Sequence, residues 1–119
     1  DLNKLWWDLV EEYQMIKKPE GRDEPDWASK IHIATEPAYY HNYMLGKMLA
    51  SQLQYYISKN IINSENPDEQ SFTNKKDVGE FLKSSIFKQG ARYRWDKLIK
   101  KALGEKLNPE YFAKQFISE

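Results

Sequence analysis

Cysteine is absent from the 119 residues. Disulfides and thiolate metal sites are thereby excluded, while the redox compartment stays open. Histidine is scarce, with His32 and His41 as its two positions. A catalytic zinc site commonly uses two His one helical turn apart plus a third His or Glu. These two stand nine positions apart across an expected loop-to-helix junction, and no H-E-x-x-H occurs. No metal site is therefore expected within the chain. Glycine is limited to five residues scattered mostly at expected helix ends, so no phosphate-cradling loop is present, and no G-x-S-x-G elbow either. No run approaches the roughly 20 apolar residues of a membrane span. Net charge is missing as well: 18 Lys plus Arg balance 18 Asp plus Glu, which removes the electrostatic case for nucleic acid or an anionic membrane. The chain opens at Asp1 rather than Met. We read that as a truncated or processed start, which leaves targeting and localisation unread.

Aromatic residues are plentiful: 14% of the chain, with eight Tyr, five Phe and four Trp. That argues for packed structure rather than disorder. The length suits one domain at most, able to bury roughly two-thirds of its unfolded surface.

The periodicity predicts an all-α chain forming a single helical segment over 1–119. Leu2, Leu5, Trp6, Leu9, Tyr13 and Ile16 recur at steps of three and four, so a first helix is expected over Leu2 to Ile16, ended by Pro19 and Gly21. Lys18 to Trp27 reads as a charged loop. Lys30-Ile31-His32-Ile33 alternates polar and apolar, the pattern of a short extended segment. A second helix is expected from Pro37 to about Ile62, apolar around much of its circumference through Tyr40, Tyr43, Met44, Met48, Leu49, Leu53, Tyr56 and Ile57. Asn63 to Asn74 is a polar loop, after which Asn74 and Asp77 resemble a reciprocal cap. A third helix should turn Val78, Phe81, Leu82, Ser85 and Ile86 inward and stop at Gly90. A fourth is expected over Arg94 to Leu103, with Trp95, Leu98, Ile99 and Ala102 inward and Gly104 closing it. Asn108-Pro109 opens a short last helix through Phe112 and Phe116.

The paired carboxylates Glu11-Glu12 and Asp68-Glu69 lie in polar surroundings and read as solvated surface. Lys97, Lys100 and Lys101 read as the exposed face of the fourth helix, complementing its C-terminal dipole. One group stands apart: Lys30, His32, Tyr39, Tyr40, His41 and Tyr43. Tyr40 and Tyr43 are three apart at an expected helix start, so their phenols share a face. Lys30 and His32 are two apart on the expected extended run and also share one. If the two segments cross, a cation, an imidazole and two phenols converge, a set suited to an anionic ligand and a developing oxyanion. Core packing of a Tyr-rich helix start, with a hydrogen-bonded structural His, is the competing reading, and residue types alone favour it.

The order of these motifs carries a resemblance. Trp6-Trp7-x-Leu9-x-x-x-Tyr13-Gln14, then Lys30-x-His32-Ile33, then Pro37 and Tyr40-x-x-Tyr43, resembles the angiotensin-converting enzyme family beyond its zinc motif. Gln52, Lys76 to Leu82, the Gly90-to-Trp95 spacing and Leu103-Gly104 fit the same pattern, and Tyr-Tyr-His-Asn-Tyr-Met-Leu-Gly looks like the bacterial branch. The resemblance implies a mostly helical, two-lobed zinc peptidyl-dipeptidase (a dipeptidyl carboxypeptidase), of which this chain is a C-terminal part. Zinc and its ligands would lie outside the chain, which alone would be inactive. Lys30 and Tyr40 would bind the C-terminal carboxylate of a peptide substrate. Tyr43 would donate to the oxyanion, and His32 would contact the substrate backbone and assist. An extracytoplasmic setting accords with the family.

Some positions depart from the pattern. The interval between the Lys-x-His and Tyr-x-x-Tyr pairs is one residue longer than in animal members, so Tyr39 competes with Tyr40 for the carboxylate role. Asn42 and Val10 stand where animal members carry Arg, which puts chloride activation in doubt. Lys47 replaces an aromatic pocket residue, so side-chain preference is expected to differ. A free-standing helical interaction module and a fragment of another helical zinc peptidase family are the alternatives. A segment cut from a larger fold should expose apolar surface and self-associate.

Overall fold

Asp1 begins the first helix. Its Oδ1 accepts from the backbone N–H groups of Asn3 (2.9 Å) and Lys4 (3.5 Å), satisfying donors that a helix start leaves without partners. Helix α1 then runs Leu2–Gln14. It stops at Met15, which turns left-handed at φ 59° and returns its N–H to Glu11 O at 3.0 Å. The helix therefore stops two residues short of the expected end at Ile16: a non-glycine residue takes the left-handed position that glycine usually supplies.

The computed structural model describes residues 1–36, 38–67 and 70–116. It is all-α, with no strand among the described residues. The chain divides into two compact units, Asp1–Tyr43 and Met44–Glu119.

In the first unit, α1 is tied to a 3₁₀ turn, Asp26–Ser29, by its indoles. Trp7 Nε1 donates to Asp26 Oδ2 (3.2 Å), and Trp27 Nε1 donates to Asn3 Oδ1 (3.0 Å). The Arg22 guanidinium donates to both oxygens of Asp26, its Nε at 3.0 and 2.8 Å. That bond, helped by the Trp7 N–H, holds the Asp26 carboxyl below its ordinary range. Val10 is buried, whereas of the expected apolar face Leu2, Leu5, Leu9, Tyr13 and Ile16 remain exposed and Trp6 is half-buried.

The expected extended segment at 30–33 is instead one helical turn. Only Lys30 is extended, at φ −91°, ψ 107°, and α2 follows over Ile31–Ala34. The N–H groups of Ile33 and Ala34 donate to Lys30 O at 2.9 and 3.0 Å. Thr35 Oγ1 donates to Ile31 O at 2.8 Å. Four alternating residues satisfy a period of two and one turn of a helix almost equally well, so local hydrogen bonding decided the outcome.

Helix α3 covers Asn42–Asn60. The start expected at Pro37 lies outside the described residues. Ala38 is left-handed at φ 56°, and the chain passes through a turn before helical geometry begins at Asn42.

In the second unit, Ile57, Val78, Ile99 and Leu103 form the buried apolar core. Helix α4, Lys76–Phe81, packs the Phe81 ring on Tyr56 at 5.4 Å. The expected Asn74–Asp77 cap does not form. Lys75 occupies the cap position without a side-chain bond, and Asn74 is left-handed at φ 59°, a conformation Asn tolerates. The helix widens into a π turn over Leu82–Ile86, then tightens to 3₁₀ over Phe87–Gln89. Ser84 Oγ donates to Glu80 O at 2.7 Å, competing for a carbonyl of the α ladder. Gly90 ends the run at φ 50°, ψ −132°, where a Cβ would be strained. Helix α5 is Trp95–Leu103, closed as expected by left-handed Gly104. Trp95, expected inward, is 52% exposed. Helix α6 is Glu110–Phe116, and Asn108 Oδ1 accepts the Glu110 N–H at 3.0 Å, the expected cap. Lys97, Lys100 and Lys101 are exposed as expected, and Lys101 Nζ donates to Tyr93 Oη at 3.2 Å. Glu11 and Glu12 are exposed; the pair Asp68-Glu69 lies outside the described residues.

Three buried polar residues lie on α3: Ser51, Gln52 and Ser58. Gln52 joins α3 to the α5–α6 connection. Its Nε2 donates to Lys106 O (3.0 Å), and its Oε1 accepts from Asn108 N (3.1 Å). Gln54 Nε2 likewise donates to Pro67 O and Gln70 O, at 3.3 and 3.1 Å.

Tyr111 Oη donates to Glu105 Oε1 at 2.6 Å, with the Tyr55 ring 4.8 Å away. The carboxylate, with burial, pushes the phenol up to about 12. Because the folded value lies above the ordinary one, this contribution to stability is complete below about pH 10 and is lost as pH rises through about 12. Alkaline unfolding of wild type should therefore steepen in that window. Tyr111→Phe should remove that component, read by circular dichroism against pH, and an unchanged alkaline limb would exclude Tyr111 as its source.

Candidate functional site

His32 sits on the single turn of α2, half-buried. Three tyrosine rings surround it. Tyr39 stacks almost parallel to the imidazole, with centroids 5.9 Å apart and 19° between planes. Tyr40 is tilted at 5.5 Å, and Tyr43 meets the ring edge-on at 5.0 Å and 88°. Tyr43 Oη and His32 Nε2 form a hydrogen bond of 2.7 Å, whose donor depends on the imidazole tautomer. Tyr43 also contacts both other tyrosines edge-on, each at 6.1 Å.

The backbone explains the convergence. α2 is capped at Thr35, and left-handed Ala38 turns the chain back. Asn42 N donates to Tyr39 O (2.9 Å) and Tyr43 N to Tyr40 O (3.4 Å), winding the segment into α3. Tyr40 and Tyr43 thus come together through a turn running into a helix rather than along one helix face. A left-handed alanine costs about 1–2 kcal/mol, so the turn is held against a local preference.

His32, Tyr40 and Tyr43 are brought together as expected, and Tyr39 joins them. Tyr39 was marked in the sequence only by its proximity to Tyr40 and by the extra residue in the interval. Lys30 is close in sequence and exposed. Its expected strand alignment with His32 is replaced by a junction between an extended residue and a helical turn. His41 is exposed in the turn before α3. Tyr39, Tyr40 and Tyr43 are each about half exposed, at 48%, 51% and 55%. This is a poor fit to core packing, which buries such rings.

Among the described residues no three His, Cys, Asp or Glu side chains come together to hold a metal. No helix among the described residues is long and apolar enough to cross a membrane. The cluster can do other chemistry: phenol protons and an imidazole present hydrogen bonds to an oxygen, and three ring faces present apolar surface.

A family model described as carboxypeptidase Taq (M32) metallopeptidase matches residues 2–118. Thermostable carboxypeptidase 1 of Pyrococcus furiosus is 31% identical over 118 residues, a stretch covering 96% of this chain and 22% of that protein. The chain therefore spans about a fifth of that curated relative's length. No solved structure matches it.

Proposed function

Given that the chain belongs to the carboxypeptidase Taq (M32) metallopeptidase family, we propose that it is the substrate-gripping part of a longer zinc carboxypeptidase. The family assignment corrects the resemblance to the angiotensin-converting enzyme family: the match over residues 2–118 is to carboxypeptidase Taq, and the metallopeptidase character is what carries over. The observation that carries the proposal is the His32–Tyr43 hydrogen bond of 2.7 Å inside a half-exposed ring of tyrosines.

In this reading the zinc and its ligands belong to the remainder of the longer protein. The zinc would polarise the scissile carbonyl there. This chain's part is to bind and orient. With the imidazole proton on Nε2, His32 donates to Tyr43 Oη, and the phenol proton is left for the oxyanion of the tetrahedral intermediate. His32 then supports Tyr43, and its direct contact with the substrate backbone requires that bond to open. Lys30 and Tyr40 grip the C-terminal carboxylate, the ammonium as a point charge and the phenol as a donor. The exposed apolar side of α1 at Leu2, Leu5 and Leu9 packs against further chain, and in the isolated segment it favours self-association.

Release of two residues per cut, rather than one, rests on the likeness of Lys30, His32, Tyr40 and Tyr43 to the peptidyl-dipeptidase pattern. The test is a peptide of defined sequence incubated with the longer protein and zinc, with products read by mass. Chelator-sensitive loss of C-terminal residues supports the proposal, and the mass of the first product separates single residues from dipeptides. The 119-residue chain with added zinc should show no turnover. Turnover by that chain alone, or chelator-insensitive cutting by the longer protein, would refute the assignment of the metal to the remainder.

A further inference from the structure

The geometry points to Tyr39 as a specificity-determining residue that selects peptides ending in an aromatic side chain; this rests on the carboxypeptidase reading above. Three observations converge. Tyr39 and Tyr40 are neighbours in the chain and flank one imidazole, at 5.9 and 5.5 Å. If Tyr40 and Lys30 hold the terminal carboxylate, the terminal side chain, one bond from the same carbon, falls beside the adjacent ring. Tyr39 already has two aromatic partners: it lies 19° from the His32 plane and meets Tyr43 edge-on at 6.1 Å, so its orientation is set before any ligand arrives, while 48% of the residue remains exposed. Preset orientation reduces the entropy a ligand must overcome to stack. Finally, the residue immediately before it, Ala38, holds a left-handed conformation at φ 56°. Backbone strain kept next to an oriented, half-exposed ring accords with a preorganised site.

The ligand class follows from the ring. Offset stacking distinguishes a planar side chain from a saturated one of equal size, whereas simple burial does not. The phenol hydroxyl is not required for this role, which separates it from carboxylate binding, where the hydroxyl is the donor.

The experiment uses the longer zinc-loaded enzyme and three peptides that differ only in the last residue: Phe, its saturated cyclohexyl analogue, and Ala. Wild type should favour Phe over the cyclohexyl peptide by roughly 2- to 10-fold in kcat/KM, the range of an aromatic pair. Tyr39→Leu should bring that ratio to about one, and Tyr39→Phe should keep it. A wild-type ratio near one overturns the inference without any variant being needed. So does Tyr39→Leu leaving the ratio intact, or Tyr39→Phe weakening all three peptides equally, which would assign Tyr39 to the carboxylate instead. Absence of chelator-sensitive release from every peptide by wild type would overturn the carboxypeptidase reading itself, a result distinct from these.

Discussion

Gln52→Leu should lower the stability of the chain by about 2–4 kcal/mol, because it strands two backbone groups at once. Gln52 is fully buried. Its amide pairs with Lys106 O and Asn108 N, 54 and 56 residues away in sequence. Leucine preserves most of the volume and loses both bonds, and because these are only part-buried, each backbone group left without its partner costs about 1–2 kcal/mol, the lower part of the usual range. At about 4–8 °C per kcal/mol for a unit of this size, the midpoint should fall by roughly 8–32 °C. Hydrogen exchange at the Asn108 amide should lose protection first, before global unfolding. Ser58 supplies the control. It lies on the same helix, is equally buried, and its Oγ has no partner among the described residues. Ser58→Ala should therefore be neutral or stabilising, by up to about 1 kcal/mol from removal of an unpaired hydroxyl and better helix propensity. If the two substitutions cost the same, burial alone governs α3 and the amide clamp contributes nothing.

That clamp also shows where sequence reading failed. Scoring α3 by apolar periodicity favours Met48, Leu49, Leu53 and Tyr56, yet the residues most completely covered include Gln52 and Ser58. Periodicity sees a side chain's polarity. It does not see a loop from residues 104–109 arriving with unpaired backbone groups that only an amide can satisfy. Ends set by Gly104 and Asn108 were legible because each residue type has a specific local mechanism. Met15 and Ala38 adopt left-handed geometry without glycine, so nothing in their chemistry announced a turn. The π turn after α4 was illegible for a similar reason: the inward set Val78, Phe81, Leu82, Ser85 and Ile86 is consistent with one continuous helix, and the Ser84 bond that competes for the ladder looks like any surface serine.

The candidate site was more legible than the elements that carry it. Residue spacing predicts the convergence of His32, Tyr40 and Tyr43 if a strand crosses a helix start. It arises instead from one helical turn, a left-handed alanine and the first turn of α3. Close sequence spacing constrains these side chains to a small volume under either geometry. What the wrong geometry could not supply was the bond between Tyr43 and His32, or the stacking of Tyr39.

Tyr43→Phe in the longer enzyme should lower kcat by about 10²–10³, the usual loss when one oxyanion donor is removed. KM should move much less, since the phenol proton is asked to stabilise an oxygen that becomes charged only in the transition state. Folding should be nearly untouched. Tyr43 is 55% exposed, and the substitution keeps its edge-on contacts with His32, Tyr39 and Tyr40. The one bond lost is partly solvent-exposed, worth about 1 kcal/mol or less. His32→Gln in the same enzyme tests how Tyr43 is supported. Glutamine can still donate to Oη but cannot reproduce the ring contacts, so an intermediate loss is expected. The double variant should be little worse than Tyr43→Phe alone, because a group that acts through the phenol has nothing left to support once the hydroxyl is gone. Additive losses would mean that His32 reaches the substrate independently, and a kcat within about threefold of wild type for Tyr43→Phe, far below the usual range, would remove the phenol from the chemistry and leave the cluster as a binding surface.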